Sequence, residues 1–400
     1  MAGNKKNILY VSNVCSQKIF EDLFNTANVK PGQAVQKFHN LLIKGFAKNS
    51  LICNIEVISS LPITQSSHKN VFWKFKNSVD EGIIFNYVVC INLPIIKHII
   101  IFTHSFIKFI YWGFSNRNKN NIILCDLLNI SLTWSAFIYC KIFKKKIGVI
   151  VTDIPDNLLA SKGLNAYVYK IIFSYLSHFD FYIGLTKQMN NVVNPKGKPF
   201  LIMEGLVDSN TNVQIKHQEN CKKVIFYAGG VYLKNGIINL LNAFILINDP
   251  NIELHIYGPT DINKILIRFT TMDTRIKYFG VVSNSIIVNK LKDAFILINP
   301  RPTNENFTKY SFPSKNLEYM ASGTPLLTTK LQGIPEEYYN FVYIIEDYSE
   351  QGIKNSIVSI LNKPYNEIIE FGKHSREFVL THKSNTYQAK KIINFLQSNH

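Results

Sequence analysis

The feature that most constrains the fold is an alternation along the whole chain of short apolar runs and stretches with helical spacing. Parallel strands need a long crossover, usually a helix, so this alternation predicts parallel sheets covered by helices. The strands predicted in the first half are 8–12, 56–59, 122–125, 148–152, 181–185 and 200–203. Those predicted in the second half are 223–227, 253–257, 276–279, 295–299, 325–329 and 342–345. Helices are predicted over 33–48, 164–176, 237–247 and 315–321. The predicted fold class is therefore α/β, with two doubly wound sheets.

Two series of strands in 400 residues indicate two domains, because single cores rarely grow beyond about 250–300 residues. We expect two Rossmann-like domains facing a cleft, the first over residues 1–197 and the second over 198–379. A C-terminal helix at about 380–400 is a candidate to pack back on the first domain, and the polar stretch 208–222 is an alternative boundary. Ligands of open parallel sheets bind beyond the carboxyl ends of the strands, so the residues just after each strand are candidates for a site.

Composition excludes several classes of protein. With 46% hydrophobic and 18% charged residues, the chain has ample apolar surface to fold, which excludes a disordered protein. Six cysteines, none in a C-x2-C pair, exclude a disulfide scaffold and argue against structural zinc. The N-terminus lacks the apolar stretch of a signal peptide. We therefore expect reduced thiols, a cytoplasmic location and no resident metal.

The charge is unevenly distributed. Residues 1–200 hold 23 Lys and Arg against 9 Asp and Glu, whereas residues 201–400 hold 21 against 18. A positive excess confined to one half suits a polyanion or an anionic membrane surface. Because no zinc-finger spacing, basic-aromatic RNA motif or helix-turn-helix is recognisable, nucleic acid is not an expected partner.

A hydrophobic region in the first half bears on membrane association. Its longest uncharged run, 82–96, has about 15 residues and contains Pro94, which is short of the ~20 residues that span a bilayer. The apolar stretch that follows carries four polar residues on one helical face, at spacings of seven, four and seven: Lys97, His104, Lys108 and Ser115. This pattern predicts a basic amphipathic helix of the kind that lies in a membrane interface. The alternative is a helix packed on the sheet, with its polar residues turned to water.

A glycine turn follows the first predicted strand of the second half. Gly229 and Gly230 end the strand, and Lys234 precedes a predicted helix that begins at Ile237. Glycines let a ligand approach the backbone, and a helix N-terminus with a nearby lysine attracts phosphate. A strand–helix turn without a ligand is the alternative interpretation.

A second motif spans residues 312–325 and reads Phe-Pro-Ser-Lys-Asn-Leu-Glu-Tyr-Met-Ala-Ser-Gly-Thr-Pro. Pro313 and Ser314 are expected to start a helix, with Glu318 about one turn inside it. A carboxylate there can accept two hydrogen bonds from the hydroxyls of a ribose. Alternatively, it only complements the dipole of the helix.

The segment 312–325 resembles the donor-site signature of retaining GT-B-fold glycosyltransferases of family four, in the form found in enzymes that build bacterial capsule, exopolysaccharide or O-antigen. The glycine turn and the segments 204–208 and 279–282 are similar as well, so that the resemblance covers about residues 180–350. It implies a GT-B fold and transfer, with retention, from a nucleotide-diphosphate sugar, UDP-sugar being favoured. No cofactor and no metal are expected besides this donor.

The resemblance also implies roles for single residues. Glu318 would hold the nucleotide ribose, and Lys234 would neutralise the donor diphosphate beside the glycine turn. Ser314 and Lys315 would meet the phosphates and the sugar, while the loop around Val281 would contact the base through backbone groups.

Two positions depart from the family pattern. Tyr310 stands where the first glutamate of the E-x7-E motif is usual, which puts the contact to the donor sugar in question. Val231 and Tyr232 stand where an arginine usually follows the glycine turn. Arg301, after a neighbouring predicted strand, is a candidate to replace that charge, and a surface or ion-paired arginine is the alternative.

The first half is expected to bind the acceptor. Asp153, just after a predicted strand, can orient an acceptor hydroxyl or act as a base, although Asp-x-Pro is also a common turn opener. Asp126 is a weaker candidate of the same kind, and His39 fits better as a packing residue of its helix.

The hypothesis that follows is a glycosyltransferase on the inner face of the cell membrane, acting on a polyprenyl-diphosphate-linked or other glycan in surface polysaccharide synthesis. One alternative is a GT-B sugar-nucleotide epimerase. Another is a non-catalytic GT-B partner of a second transferase, which Tyr310 in place of glutamate motivates.

Overall fold

The computed structural model describes residues 5–154, 170, 173–210 and 222–399. The chain divides into two compact units, Met1–Leu206 together with Asn385–His400, and Val207–Ser384. The first unit extends beyond residue 197, to Leu206, because the strand Phe200–Ile202 pairs with Phe181–Gly184 and so belongs to the first sheet. The C-terminal helix belongs to the first unit as well, where the Asn385 side chain donates to the Leu41 carbonyl.

The first unit is built on an eight-stranded sheet in the order β10-β9-β8-β7-β1-β2-β5-β4, parallel except for the pair β4–β5. Every residue of the central strand β1 is buried, as expected for a parallel sheet with helices on both faces. The short strands β3 to β6 were not predicted, since runs of two to five residues carry little periodicity. The strands are β1 (Lys6–Ser12), β2 (Ile52–Ser59), β3 (Phe72–Trp73), β4 (Ser78–Asp80), β5 (Ile83–Tyr87), β6 (Cys90–Ile91), β7 (Asn120–Asp126), β8 (Ile147–Val151), β9 (Phe181–Gly184) and β10 (Phe200–Ile202).

Six described helices belong to the first unit. They are α1 (Gln17–Thr26), α2 (Gln33–Ala47), α3 (Pro94–Ser115), α4 (Ile130–Ile142), α5 (Lys187–Val193) and α12 (Asn385–Ser398). Helix α1 was not predicted, although it is amphipathic and buries Leu23. Most of the helix predicted at 164–176 lies outside the described residues, and Ser174–His178 forms a 3-10 turn.

Two of the four polar residues predicted on one face of α3, Lys97 and His104, bond to backbone groups of other segments, whereas Ser115 is exposed. The Lys97 ammonium donates to the Ile63 carbonyl, and His104 Nδ1 accepts from the Val89 N–H at 2.9 Å. The most exposed large apolar side chains on α3 are instead Ile95, Tyr111 and Phe114, at 76%, 70% and 66% of their full accessibility. Among the described helices, α3 alone is long and apolar enough to cross a membrane, a weak indication because it rests on length and composition.

The second unit holds a six-stranded parallel sheet in the order β13-β12-β11-β14-β15-β16. Its strands are β11 (Lys223–Ala228), β12 (Ile252–Tyr257), β13 (Ile276–Tyr278), β14 (Ile296–Asn299), β15 (Leu326–Thr329) and β16 (Tyr343–Ile345). Its helices are α6 (Ile237–Ile245), α7 (Asn263–Met272), α8 (Asn284–Leu291), α9 (Ser314–Ser322), α10 (Glu350–Leu361) and α11 (Tyr365–His382). The prediction of an α/β fold with two doubly wound sheets is confirmed. In the second sheet the strand order reverses between β11 and β14, and this switch point locates the site described next.

Candidate functional site

A glycine lies one or two residues beyond each of β11, β12 and β13, the three strands on one side of the switch point of the second sheet. The Gly229 N–H donates to the Tyr257 carbonyl at 2.9 Å, and the Gly258 N–H donates to the Gly280 carbonyl at 2.8 Å. A Cβ atom on Gly258 would lie 1.9 Å from the Gly229 oxygen, and the φ of Gly258 is +131°. Glycine is therefore required there for the backbones to approach so closely.

Side chains from three elements hold the turn after β11. The Tyr227 hydroxyl and the Asn235 amide both donate to the Gly230 carbonyl at 2.7 Å. The Tyr319 hydroxyl accepts from the Ala228 N–H at 2.7 Å and donates to the Ala228 carbonyl at 3.0 Å. None of these three side chains was predicted from the sequence. Asn235 could have been found, because it stands between Lys234 and a glycine, whereas the role of Tyr319 depends on how α9 packs.

A buried cation lies against this turn. Lys315, in the first turn of α9, places its Nζ 4.3 Å from the centre of the Tyr227 ring. A Cβ atom on Gly229 would lie 2.4 Å from the same Nζ. The Nζ is shielded from solvent and has no hydrogen-bond partner. Burial, together with the charge of Arg301, lowers the pKa of Lys315 well below its usual value, while Glu318 opposes this shift.

Arg301 follows β14 and adds a second positive charge. The Thr329 hydroxyl donates to its carbonyl at 2.6 Å, which ties the residue to the neighbouring strand. Its guanidinium also opposes the rise that burial causes in the pKa of Tyr227. Because Arg301 acts on both Lys315 and Tyr227, the two cations share one electrostatic environment beside the glycine turn. Two like charges held in one environment gain most from an anionic ligand.

Two helices begin at this edge of the sheet. Gly236, with φ +77°, starts α6 where a Cβ atom would lie 1.9 Å from the Pro300 carbonyl oxygen. The Asn299 amide donates to Asn316 Oδ1 at 2.7 Å, which fixes the start of α9 to the end of β14. The N–H groups of the first turn of a helix have no partner within the helix and carry partial positive charge. The edge thus combines two helix N-termini with two cations, a combination that can bind phosphate groups.

The structure brings together only part of the residue set predicted from sequence. Gly229, Gly230, Arg301, Lys315 and Glu318 form one cluster, in which Glu318 is half-buried and acts on the charge of Lys315. Of the other residues predicted in the second unit, Lys234, Ser314 and Val281 are exposed and Tyr310 is half-buried.

Asp153 does not belong to this cluster. It is exposed after β8 in the first unit, where its Oδ1 accepts from the Ile154 N–H at 2.9 Å. Within the described residues, no group of three or more His, Cys, Asp or Glu side chains is placed to hold a metal ion.

Solved structures define the class of fold. Sucrose-phosphate synthase from Thermosynechococcus elongatus superposes with a TM-score of 0.63 at 14% identity, over 98% of each chain. HepE from Anabaena in complex with UDP gives 0.64 at 12% identity, over 98% of this chain and 100% of that one. The lipopolysaccharide outer core galactosyltransferase WaaB gives 0.60 at 13% identity, over 98% and 100%. The fold is that of the GT-B glycosyltransferases, with two Rossmann-like domains, as predicted.

The second unit also matches a known sequence family. Residues 222–363 match the family model described as glycosyl transferases group 1. This segment contains the glycine turn, Lys315, Arg301 and Glu318. No curated protein sequence matches the chain.

Proposed function

We propose that the protein is a glycosyltransferase that moves a sugar from a nucleotide-diphosphate sugar, with UDP-sugar favoured, to a glycan acceptor. The observation that carries the proposal is the buried ammonium of Lys315, which lies beside Gly229 without a hydrogen-bond partner. A buried ammonium is costly unless it is paired, which is why burial lowers the pKa of Lys315, and an anion that the ligand brings would stabilise the charged form. The family match over residues 222–363 and the likeness to a UDP-bound structure support the same proposal.

The proposed chemistry follows from the charges at the turn. Breaking the bond between the anomeric carbon and the diphosphate builds negative charge on the leaving group. Prepositioned cations and backbone N–H groups stabilise that charge most where water is excluded. We assign this role to Lys315, Arg301 and Lys234, together with the N-termini of α6 and α9, and ribose binding to Glu318. With protein cations at the diphosphate, we expect transfer without a bound metal, and retention through attack on the face that the diphosphate leaves.

We further propose an acceptor that is linked to a lipid, and a location on the inner face of the cell membrane, in surface polysaccharide synthesis. The excess of 23 basic over 9 acidic residues in the first half supports attraction to anionic lipid. The exposed Ile95, Tyr111 and Phe114 of α3 supply apolar surface for the same contact.

The test is nucleotide binding to the purified full chain, measured by calorimetry and by the shift of the melting temperature. A selective response to one of UDP, GDP and ADP is expected, and Lys315→Met should lose it. Lys264→Met, at an exposed lysine of α7, is the matched control and should keep it. Native protein that binds none of these nucleotides would contradict the proposal and favour a non-catalytic partner, the role that Tyr310 in place of glutamate suggests. Release of the diphosphate that depends on an added acceptor separates a transferase from an epimerase.

A further inference from the structure

The first unit contains a cavity of its own, of about 520 Å³. It opens at the carboxyl ends of β1, β2 and β7, where Asn13, Ser60 and Asn129 line it. Cavities at this position in parallel sheets are where ligands bind. The volume falls within the range of about 300–1,000 Å³ that is usual for small-molecule sites.

The two lysines of the cavity already have partners. Lys30 Nζ donates to the carbonyls of Phe24 at 2.8 Å and Asn25 at 3.3 Å. Lys97 Nζ donates to the carbonyl of Ile63, and burial lowers the pKa of Lys97. Because both ammonium groups are engaged with backbone oxygens, the cavity offers mainly amides, hydroxyls and apolar surface. That composition suits a neutral polar ligand better than an anion.

A chain of buried side chains leads from Asp126, which lines the cavity, into the core. The Tyr10 hydroxyl lies 2.6 Å from His39 Nδ1, and His39 Nε2 lies 3.3 Å from Asp126 Oδ2. All three side chains are fully buried. Burial, with the charge of Asp126, raises the pKa of Tyr10 well above its usual value, so the phenol keeps its proton. The Tyr10 hydroxyl and the Asp126 carboxylate thus lie beside the two ring nitrogens of His39 and hold the imidazole ring between them.

Asp126 in turn orients Asn129, the residue that reaches the cavity. The carboxylate accepts from the Asn129 side-chain amide and from the Leu128 N–H at 3.1 Å. The Ser60 hydroxyl donates to Asn129 Oδ1 at 3.3 Å. A carboxamide has two N–H donors and two acceptor lone pairs, so Asn129 keeps one of each for a ligand. Asn13 is similar, because its Oδ1 accepts from Gln36 at 3.3 Å while its own N–H groups make no hydrogen bond within the described residues.

We propose that this cavity binds a hydroxyl-rich neutral ring, with Asn13 and Asn129 hydrogen-bonding its hydroxyls and Asp126 and His39 acting as positioning residues. The apolar side chains of Val29 and Leu128, which are 58% and 36% exposed, line the same cavity and suit the C–H face of such a ring. That the ring is a sugar of the acceptor rests on the proposed function. The hydrogen-bonding surface itself does not depend on it.

Saturation-transfer NMR on the full chain tests this proposal, with the methyl glycosides of glucose, galactose and N-acetylglucosamine at millimolar concentration as probes. At least one glycoside should show transfer to its ring protons, and Asn129→Ala should reduce the transfer at least fivefold. Asn118→Ala, at an exposed asparagine of the same unit, should leave it unchanged. Should Asn129→Ala fail to fold, Asn13→Ala takes its place with the same expected loss.

Three outcomes would overturn the proposal: no transfer to any of the glycosides, undiminished transfer in Asn129→Ala, or displacement of the glycoside by inorganic phosphate. His39→Gln gives a separate readout of positioning, because it should weaken glycoside binding while the melting curve stays cooperative and UDP binding is unchanged. UDP binding measured on the same samples separates the two hypotheses. Glycoside binding without UDP binding would contradict the proposed function alone, and UDP binding without glycoside binding would contradict this inference alone.

Discussion

The ammonium of Lys315 lies 4.3 Å from the centre of the Tyr227 ring, and the hydroxyl of that ring donates to the Gly230 carbonyl. One phenol therefore supports both the buried cation and the backbone turn beside it. The ring face attracts the cation, which offsets part of the cost of burying it. The position of the charge and the shape of the turn are consequently coupled.

Gly229→Ala tests how closely the cation and the turn pack. The new Cβ would lie 2.4 Å from Lys315 Nζ, so the lysine must move or the turn must open. We expect UDP affinity to fall more than tenfold in calorimetry. Gly197→Ala is the control, because Gly197 has φ +60° but nothing within 4 Å of an added Cβ. Equal nucleotide affinity in the two variants would refute the close packing.

Glu253 should make stability depend on acid pH. Burial opposes its ionisation, but hydrogen bonds from Lys277, Lys222 and His255 outweigh burial and lower the pKa of Glu253 to about 2, from 4.5. The stabilisation is thus fully present above pH 4.5 and is lost as the pH falls towards 2. Its size is about 3 kcal/mol, the free-energy equivalent of such a pKa difference.

Urea unfolding of native protein and Glu253→Gln at pH 7 and at pH 3 measures this contribution. The difference in free energy of unfolding between the two proteins should shrink at the lower pH. Glu21→Gln, at an exposed glutamate, should show a small difference at both pH values. A difference for Glu253→Gln that stays constant from pH 7 to pH 3 would show that the ion pairs do not stabilise the fold.

Tyr10→Phe removes the hydroxyl that meets His39 Nδ1 and leaves that buried nitrogen without its partner. Leaving a buried polar atom unsatisfied costs about 1–3 kcal/mol, so the free energy of unfolding should fall by that amount. Tyr111→Phe removes the hydroxyl of a tyrosine that is exposed on α3, and should change stability by less than about 0.5 kcal/mol. Denaturant unfolding of both variants is the measurement, and similar values for the two would refute the role of the Tyr10 hydroxyl.

The combined replacement of Ile95, Tyr111 and Phe114 by serine tests the exposed face of α3. Sedimentation with vesicles that contain anionic phosphatidylglycerol should fall severalfold, because apolar burial in the interface drives such binding. Ile267→Ser with Met272→Ser, at exposed apolar positions of α7, is the control and should leave sedimentation unchanged. Undiminished binding of the triple variant would exclude this face as the membrane contact.

The sequence predicted well those features that depend on neighbours along the chain. Both strand series follow from local apolar runs, and the turn at Gly229 follows from glycines at the end of a strand. Periodicity could not predict strands as short as Phe72–Trp73, which exist because β6 lies beside them. It also predicted a basic amphipathic helix at α3 with its polar residues on one face, whereas Lys97 and His104 bond to backbone groups of other segments.

What the sequence by itself determined is the fold class and the turn and helix starts that we propose bind phosphate, because periodicity, turn residues and helix starts are local properties. The tertiary structure alone decided that Lys315 lies buried over Tyr227, 88 positions away along the chain. It alone joined Tyr10, His39 and Asp126, which come from β1, α2 and β7. Such contacts arise when strands that are distant in sequence become neighbours in a sheet, and the desolvation and charge that they create have no signature in any local stretch of residues.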